Sequence, residues 1–186
     1  MRGSLSYFAV YNGCTGKGLL YKPSQKLTVE SSSDADWTGN RRDKRSTSGY
    51  CTFVGGILVT WRSKKQTVVA RSSAETKYCT MAHISSEMMW VWSLLYEMWV
   101  IVTILMKMYC DNQSTIFIPS NPVFHKRIKH IEVDCHFIRD LVIKKYIVTP
   151  YVQSENQLGD ILTKLLARSS FSVFSKLGLF NSYAST

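Results

Sequence analysis

The sequence predicts an α/β fold, a mixed five-stranded sheet flanked by helices, and three observations support it. Three β-rich runs come first, and the last two are separated only by Gly55 and Gly56. A long helical pattern follows, and strand and helix patterns then alternate. Such an order is typical of a mixed sheet with helices on its faces. With 186 residues, 45% of them hydrophobic, the chain can bury one full core.

The three leading strands are predicted from alternation and turn residues. Leu27 to Asp34 alternates apolar and polar side chains, and residues 36 to 49 form a polar, basic loop. The next two strands are Tyr50 to Val54 and Ile57 to Trp61. Because a Gly-Gly link between two β-rich runs favours a tight turn, these two strands are predicted to form a hairpin.

The long helix has a recognisable beginning and one apolar face. Ser72 and Glu75 have the spacing of a capping box, in which each side chain bonds an early backbone N–H group. Apolar residues then recur at helical spacing and predict the buried face: Met81, Ile84, Met88, Val91, Trp92 and Leu95.

The helix continues into an apolar run from Met88 to Met106 that is about long enough to span a bilayer. Glu97 lies near its middle, and the helical pattern enters it without a break. These features favour a buried helix followed by an edge of the sheet. A membrane-associated fragment stays as an alternative.

The remaining elements complete one domain. They are predicted as a strand at Met106 to Asp111, a brief helix at Asn112 to Phe117, a long helix at Ile128 to Lys144, a strand at Lys145 to Val152 and a helix at Asn156 to Leu166. Residues 1 to 24 are predicted to be a connector, residues 25 to 168 the domain, and residues 169 to 186 a tail.

Charge and cysteine content favour an intracellular protein with a polyanionic partner. Lys and Arg number 23 against 13 Asp and Glu, a formal charge of +10, which favours nucleic acid first and an acidic membrane surface second. Five widely spaced cysteines and no secretory signal indicate an intracellular, cytoplasmic or nuclear, chain that is not secreted. A zinc site at His125, His130, Cys135 and His136 is an alternative, although the spacing matches no structural zinc pattern.

Three aspartates fall where an α/β sheet places ligands. Asp34 and Asp111 each end a predicted strand, and Asp160 lies in the last predicted helix. Carboxylates grouped in this way bind Mg²⁺, and a pair of such ions activates water and stabilises a leaving oxygen in phosphodiester cleavage. The alternative is that each aspartate merely ends a strand or faces solvent.

Several motifs, in order along residues 16 to 180, resemble the ribonuclease H region at the C-terminal end of copia-type retrotransposon Pol polyproteins. They are Ser33 to Trp37 (SDADW), Arg45 to Tyr50 (RSTSGY), Trp61 to Gln66 (WRSKKQ), Arg71 to Glu75 (RSSAE), Tyr109 to Gln113 (YCDNQ), Lys129 to Arg139 (KHIEVDCHFIR) and Gln157 to Lys164 (QLGDILTK).

The resemblance implies a ribonuclease H-like fold that cleaves RNA in RNA–DNA hybrids, with a reverse transcriptase in the same polyprotein. It also implies an Asp-Glu-Asp-Asp cluster that holds two Mg²⁺ ions. The three aspartates of that cluster fall on Asp34, with Asp36 as second choice, on Asp111 and on Asp160. Lys77 occupies the position where the family has its glutamate.

Glu75 is not expected to substitute for the missing ligand. Two residues along a helix rotate a side chain by about 200°, so Glu75 and Lys77 face nearly opposite ways. Lys77 itself is expected to snorkel outward, which leaves one ligand missing. If it stays, its ammonium group ~5 Å from a divalent ion costs on the order of several kcal/mol, and either outcome weakens the binding of two metal ions. We therefore expect an impaired or inactive nuclease, with a non-catalytic nucleic-acid-binding remnant as the alternative.

Basic groups are expected to follow a hybrid backbone. They are Arg41, Arg42, Lys44 and Arg45, then Arg62, Lys64 and Lys65, then Lys126, Arg127 and Lys129.

Overall fold

A five-stranded mixed sheet forms the centre of the molecule. The structure, a computed structural model, describes residues 17–19, 27–37, 43–102, 105–111, 132–164 and 179–181. In chain order its elements are β1 (Lys17–Leu19), β2 (Val29–Asp36), β3 (Thr47–Val54), β4 (Ile57–Lys65), α1 (Ser73–Glu97), β5 (Met106–Tyr109), α2 (Glu132–Ile143), β6 (Ile147–Val148), a 3₁₀ turn (Ser154–Asn156), α3 (Asp160–Thr163) and β7 (Leu179–Asn181). The order of strands in the sheet is β4-β3-β2-β5-β6.

The predicted hairpin is present, and its strands are longer than the sequence pattern indicated. Gly55 and Gly56 have positive φ angles of 59° and 79°, the backbone conformation that a two-residue hairpin turn requires. β3 and β4 continue pairing to Thr47 and Lys65, beyond the predicted ends at Tyr50 and Trp61. β2 also ends later than predicted, at Asp36.

The second half of the sheet is parallel and carries the core. β2 pairs in parallel with β5, and β5 pairs in parallel with β6. α1 and α2 pack on this sheet through a cluster of buried side chains that includes Met81, Ile84, Met88, Met108 and Ile138. Burial of these side chains is the main source of stability, because apolar area removed from water contributes about 25 cal/mol per Å².

The apolar run from Met88 to Met106 is divided between two elements. α1 ends at Glu97, Trp99 adopts a positive φ of 60°, and β5 begins at Met106. The prediction that the end of α1 is buried is wrong for the side of the helix that faces solvent, where Tyr96 is 71% exposed. In the part of the chain that the structure describes, no helix combines the length and apolar character needed to cross a membrane.

Elements near the C-terminus are shorter than predicted. The strand expected over Lys145 to Val152 is reduced to β6 and one bridge between Cys110 and Tyr151. Within the described residues, the helix expected over Asn156 to Leu166 is reduced to the single turn of α3, and the 3₁₀ turn before it ends at Asn156. In the segments predicted as connector and tail, β1 and β7 pair with each other in an antiparallel ribbon.

Some predictions lie outside the described residues. They concern the helix at Asn112 to Phe117, the first turn of the helix from Ile128, and the basic residues Arg41, Arg42, Lys126, Arg127 and Lys129. His125 and His130 of the zinc alternative lie there too, whereas Cys135 is buried and His136 is exposed.

Candidate functional site

The three aspartates predicted to be metal ligands lie close together at one end of the sheet. Asp34 lies near the end of β2, Asp111 follows β5, and the two strands are parallel neighbours. Asp160 is the first residue of α3. One carboxylate oxygen from each residue lies within 4.8 Å of the others. We call Asp34, Asp111 and Asp160 the aspartate cluster, and among the described residues it is the only such group of three or more potential metal ligands.

α3 reaches this end of the sheet because Gly159 has no side chain. A Cβ atom at Gly159 would lie 2.5 Å from the backbone nitrogen of Asp34 and 2.7 Å from the carbonyl carbon of Ser33. The buried Gln157 secures the contact, since its amide donates to the Ser33 carbonyl at 3.0 Å and its carbonyl accepts from the Ser32 hydroxyl. The approach therefore places Asp160 beside Asp34.

Asp34, and not Asp36, belongs to the cluster. Asp34 is only 3% exposed, and its Oδ2 accepts a hydrogen bond from the Thr163 hydroxyl at 2.5 Å. Asp36 is the last residue of β2 and is outside the cluster. Partial burial, together with the charge of Asp34, raises the pKa of the Asp36 carboxyl.

Lys77 extends into the cluster, so the expectation that it snorkels outward is wrong. Its Nζ lies 2.6 Å from Asp111 Oδ1 and 4.0 Å from Asp34 Oδ1, and its side chain is 16% exposed. An ammonium group between two carboxylates gains two favourable charge interactions, and these replace the water that it would meet at the surface.

The local fold holds α1 in the register that directs Lys77 inward. The Thr76 hydroxyl is 3.0 Å from the Ser46 hydroxyl, and the Thr80 hydroxyl is 2.6 Å from the Ser48 hydroxyl. These buried pairs fix the first turns of α1 against β3.

Glu75 is engaged elsewhere, as expected. Ser72 is the N-cap of α1, and its Oγ accepts a hydrogen bond from the Glu75 backbone nitrogen at 3.1 Å. The Glu75 carboxylate in turn accepts from the backbone nitrogen of Arg71 at 2.6 Å, one residue before the cap. These two bonds form a capping box in which the Glu75 carboxylate accepts from the residue before the N-cap and not from the N-cap itself.

Lys164 is a second cation in the cluster, and its role was not predicted from the sequence. Its Nζ lies 2.7 Å from Asp160 Oδ2 and 3.5 Å from Asp34 Oδ2, and its side chain is 45% exposed. The available signal was the spacing of Asp160 and Lys164, because residues four apart on a helix are neighbours.

The cluster holds one carboxylate oxygen without a hydrogen-bond donor. Asp160 Oδ1 is buried and accepts no hydrogen bond from the described residues. Burial raises the pKa of Asp160 to about 6, and the neighbouring charge of Asp34 adds to this effect against the opposing bond from Lys164. A buried carboxylate oxygen that accepts no hydrogen bond is stabilised when it binds a proton or a cation.

A basic groove lies on the other flank of α1. It has a volume of about 640 Å³, and Glu75, Cys79 and His83 line it from α1. Its lining also includes the basic residues Arg62, Lys64 and Lys65 of β4, Arg71 just before α1, and one acidic residue of α2, Asp134. The N-terminal part of α1 therefore separates the aspartate cluster from a groove with positive charge.

The sequence is similar to retrotransposon Pol polyproteins. The chain is 42% identical over 168 residues to the retrovirus-related Pol polyprotein from transposon RE1 of Arabidopsis thaliana, covering 90% of this chain and 12% of the polyprotein. It is 41% identical over 164 residues to the corresponding polyprotein from transposon RE2 of the same plant, covering 88% and 11%. The chain thus spans about one eighth of the length of these relatives. No protein-family model matches the sequence.

The fold is shared with solved ribonucleases H. The structure of LC11-RNase H1, isolated from compost, superposes with a TM-score of 0.55 at 11% sequence identity and covers 74% of this chain and 93% of that one. Both resemblances anticipated from the motifs are confirmed. The chain is homologous to one segment of the retrovirus-related Pol polyproteins, and its fold is that of a ribonuclease H domain.

Proposed function

We propose that this chain is the ribonuclease H-like domain of a retrotransposon Pol polyprotein, that it binds RNA–DNA hybrids, and that its Mg²⁺-dependent cleavage of the RNA strand is impaired. One observation carries the proposal: Lys77 Nζ lies 2.6 Å from Asp111 and 4.0 Å from Asp34, within the cluster that would hold the metal.

The donor atoms of the cluster suit Mg²⁺, but its net negative charge is too small to hold two divalent ions. Carboxylate oxygens are ligands that Mg²⁺ prefers, and the unpartnered Asp160 Oδ1 is available for a cation. Lys77 and Lys164, however, offset two of the three carboxylate charges. An ammonium group and a divalent ion ~4 Å apart repel each other by about 8 kcal/mol at an effective dielectric constant of about 20. The cluster as it stands therefore does not fit a pair of Mg²⁺ ions.

Hybrid binding is supported by the basic groove beside α1. Arg62 and Lys64 are two residues apart on β4, so their side chains project from the same face of the strand. They form no ion pair within the described part of the chain. With a formal charge of +10 for the whole chain, these cations favour contact with nucleic-acid phosphates.

The decisive experiment measures binding and cleavage of an RNA–DNA hybrid by the wild type and by Lys77→Glu. We expect the wild type to bind the hybrid with an affinity that falls as salt rises, and to cleave it at background level in Mg²⁺. Lys77→Glu supplies a carboxylate and removes an ammonium group, so it should cleave in Mg²⁺ and be inhibited by EDTA. Lys144→Glu, which makes the same charge change at an exposed residue after α2, is the control and should not cleave.

Three results would contradict parts of the proposal. Strong cleavage by the wild type would refute the impairment. Absence of hybrid binding by every variant would refute the binding function. Binding without cleavage by Lys77→Glu would refute the role of Lys77 as the block and would favour a non-catalytic binding domain.

A further inference from the structure

We infer that Lys77 is a built-in cation that takes the structural place of a divalent metal ion, so that this end of the domain folds without metal. The inference deepens the proposed function, since it rests on identifying the aspartate cluster as a site of the metal-binding type. It concerns folding and cation binding, and therefore can be tested without nucleic acid.

The two lysines of the cluster each bridge a pair of carboxylates. Lys77 lies within 4.0 Å of both Asp34 and Asp111, and Lys164 lies within 3.5 Å of both Asp34 and Asp160. Asp34 is shared by both bridges, and every member of the cluster is joined to another through an ammonium group. Carboxylates this close repel one another unless a positive charge lies between them.

The two bridges are not equivalent. The side chain of Lys77 is 16% exposed, whereas that of Lys164 is 45% exposed. Water can therefore replace Lys164 at low cost, as it does at most surface ion pairs. Loss of Lys77 would leave Asp34 and Asp111, both nearly buried, without the charge that joins them, and such a loss is strongly destabilising.

Thermal unfolding in EDTA and in millimolar Mg²⁺ tests this role. The wild-type midpoint should be the same in both conditions. Lys77→Gln removes the charge and keeps a polar, unbranched side chain that is one atom shorter, so its midpoint should fall in EDTA and recover by several degrees in Mg²⁺. Lys107→Gln is the control: Lys107 bonds Glu30 at 3.1 Å outside the cluster, and its loss should produce neither effect.

A wild-type midpoint that rises with Mg²⁺ as much as that of Lys77→Gln would overturn the inference, and so would a Lys77→Gln protein that does not respond to Mg²⁺. If Lys77→Gln does not fold in either condition, titration of Mn²⁺ into the wild type decides. Tight binding of two ions would overturn the inference, and weak binding would support it. If the wild-type midpoint does not depend on Mg²⁺ but the wild type fails to bind a hybrid, the proposed function is refuted and the inference about Lys77 stands.

Discussion

Gly159→Ala tests whether α3 lies directly on β2, the contact that brings Asp160 to the cluster. The added methyl group would be placed 2.5 Å from the Asp34 backbone nitrogen and 2.7 Å from the Ser33 carbonyl carbon. Both are backbone atoms within a paired strand, so rotation of a side chain cannot relieve the overlap. Either α3 moves away from the sheet or β2 is displaced from its neighbours.

The expected cost follows from the overlap and from the bonds that the movement breaks. Overpacking of a well-packed interior costs about 1–3 kcal/mol. Movement of α3 also weakens the bonds from Gln157 to Ser33 and from Thr163 to Asp34, each with a net contribution of about 1 kcal/mol. We expect a loss of about 3 kcal/mol in the free energy of unfolding, which corresponds to roughly 6–12 °C in the midpoint for a chain of this size.

Urea denaturation followed by tryptophan fluorescence and circular dichroism would measure this loss. Gly56→Ala is the control, because Gly56 has a φ of +79° but open space around its Cβ position. It should cost only the strain of a left-handed residue, about 1–2 kcal/mol. If Gly159→Ala destabilises the protein no more than Gly56→Ala does, the close packing of α3 on β2 is refuted.

Two further predictions concern the helix cap and the titration of the cluster. Ser72→Ala removes the acceptor of the Glu75 backbone N–H and should cost about 1 kcal/mol in urea denaturation, whereas Ser73→Ala, one residue inside the helix, should cost little. Because the folded protein raises the pKa of Asp160 from 3.8 to about 6, it binds this proton more tightly than the unfolded chain does, and in EDTA the free energy of unfolding should fall as pH rises from about 4 to 7. The full shift corresponds to about 3 kcal/mol and, after allowance for solvent screening, to about 1–2 kcal/mol. Asp160→Asn should reduce this dependence, and the part that remains is expected from Asp36 and Asp134, whose pKa values the fold also raises. An unchanged slope in that variant would refute the assignment.

The features that the sequence predicted correctly depend on neighbours along the chain. The Gly55-Gly56 turn, the Ser72 cap and the buried side of α1 each follow from residues within one or two turns of each other. The missed extension of β3 and β4 depends on pairing between Thr47 and Lys65, whose polar side chains carry no strand pattern of their own. A short helix such as α3 is likewise held by its contact with β2 and not by its own propensity.

The position of Lys77 could not be predicted because it depends on three separate elements. The side of α1 on which Lys77 lies could be read from the sequence, because Lys77 precedes Met81 and Ile84 at helical spacing and both of these are buried. The final position of the ammonium group depends on where Asp34 and Asp111 lie at the ends of two strands. A flexible side chain with four carbons follows charge, and the local pattern does not encode where that charge lies.

Position 77 determines two properties of the cluster at once. With Lys77 and Lys164 present, the three carboxylates retain one net negative charge, whereas a glutamate at position 77 would leave three. Three uncompensated charges in this space need cations from solution, so a glutamate would couple the fold of this end to metal, and the lysine uncouples it. Lys77→Gln separates the two properties, because it removes the internal cation without adding a ligand. We therefore expect Lys77→Gln to need Mg²⁺ for full stability without cleaving a hybrid, and Lys77→Glu to need Mg²⁺ for both.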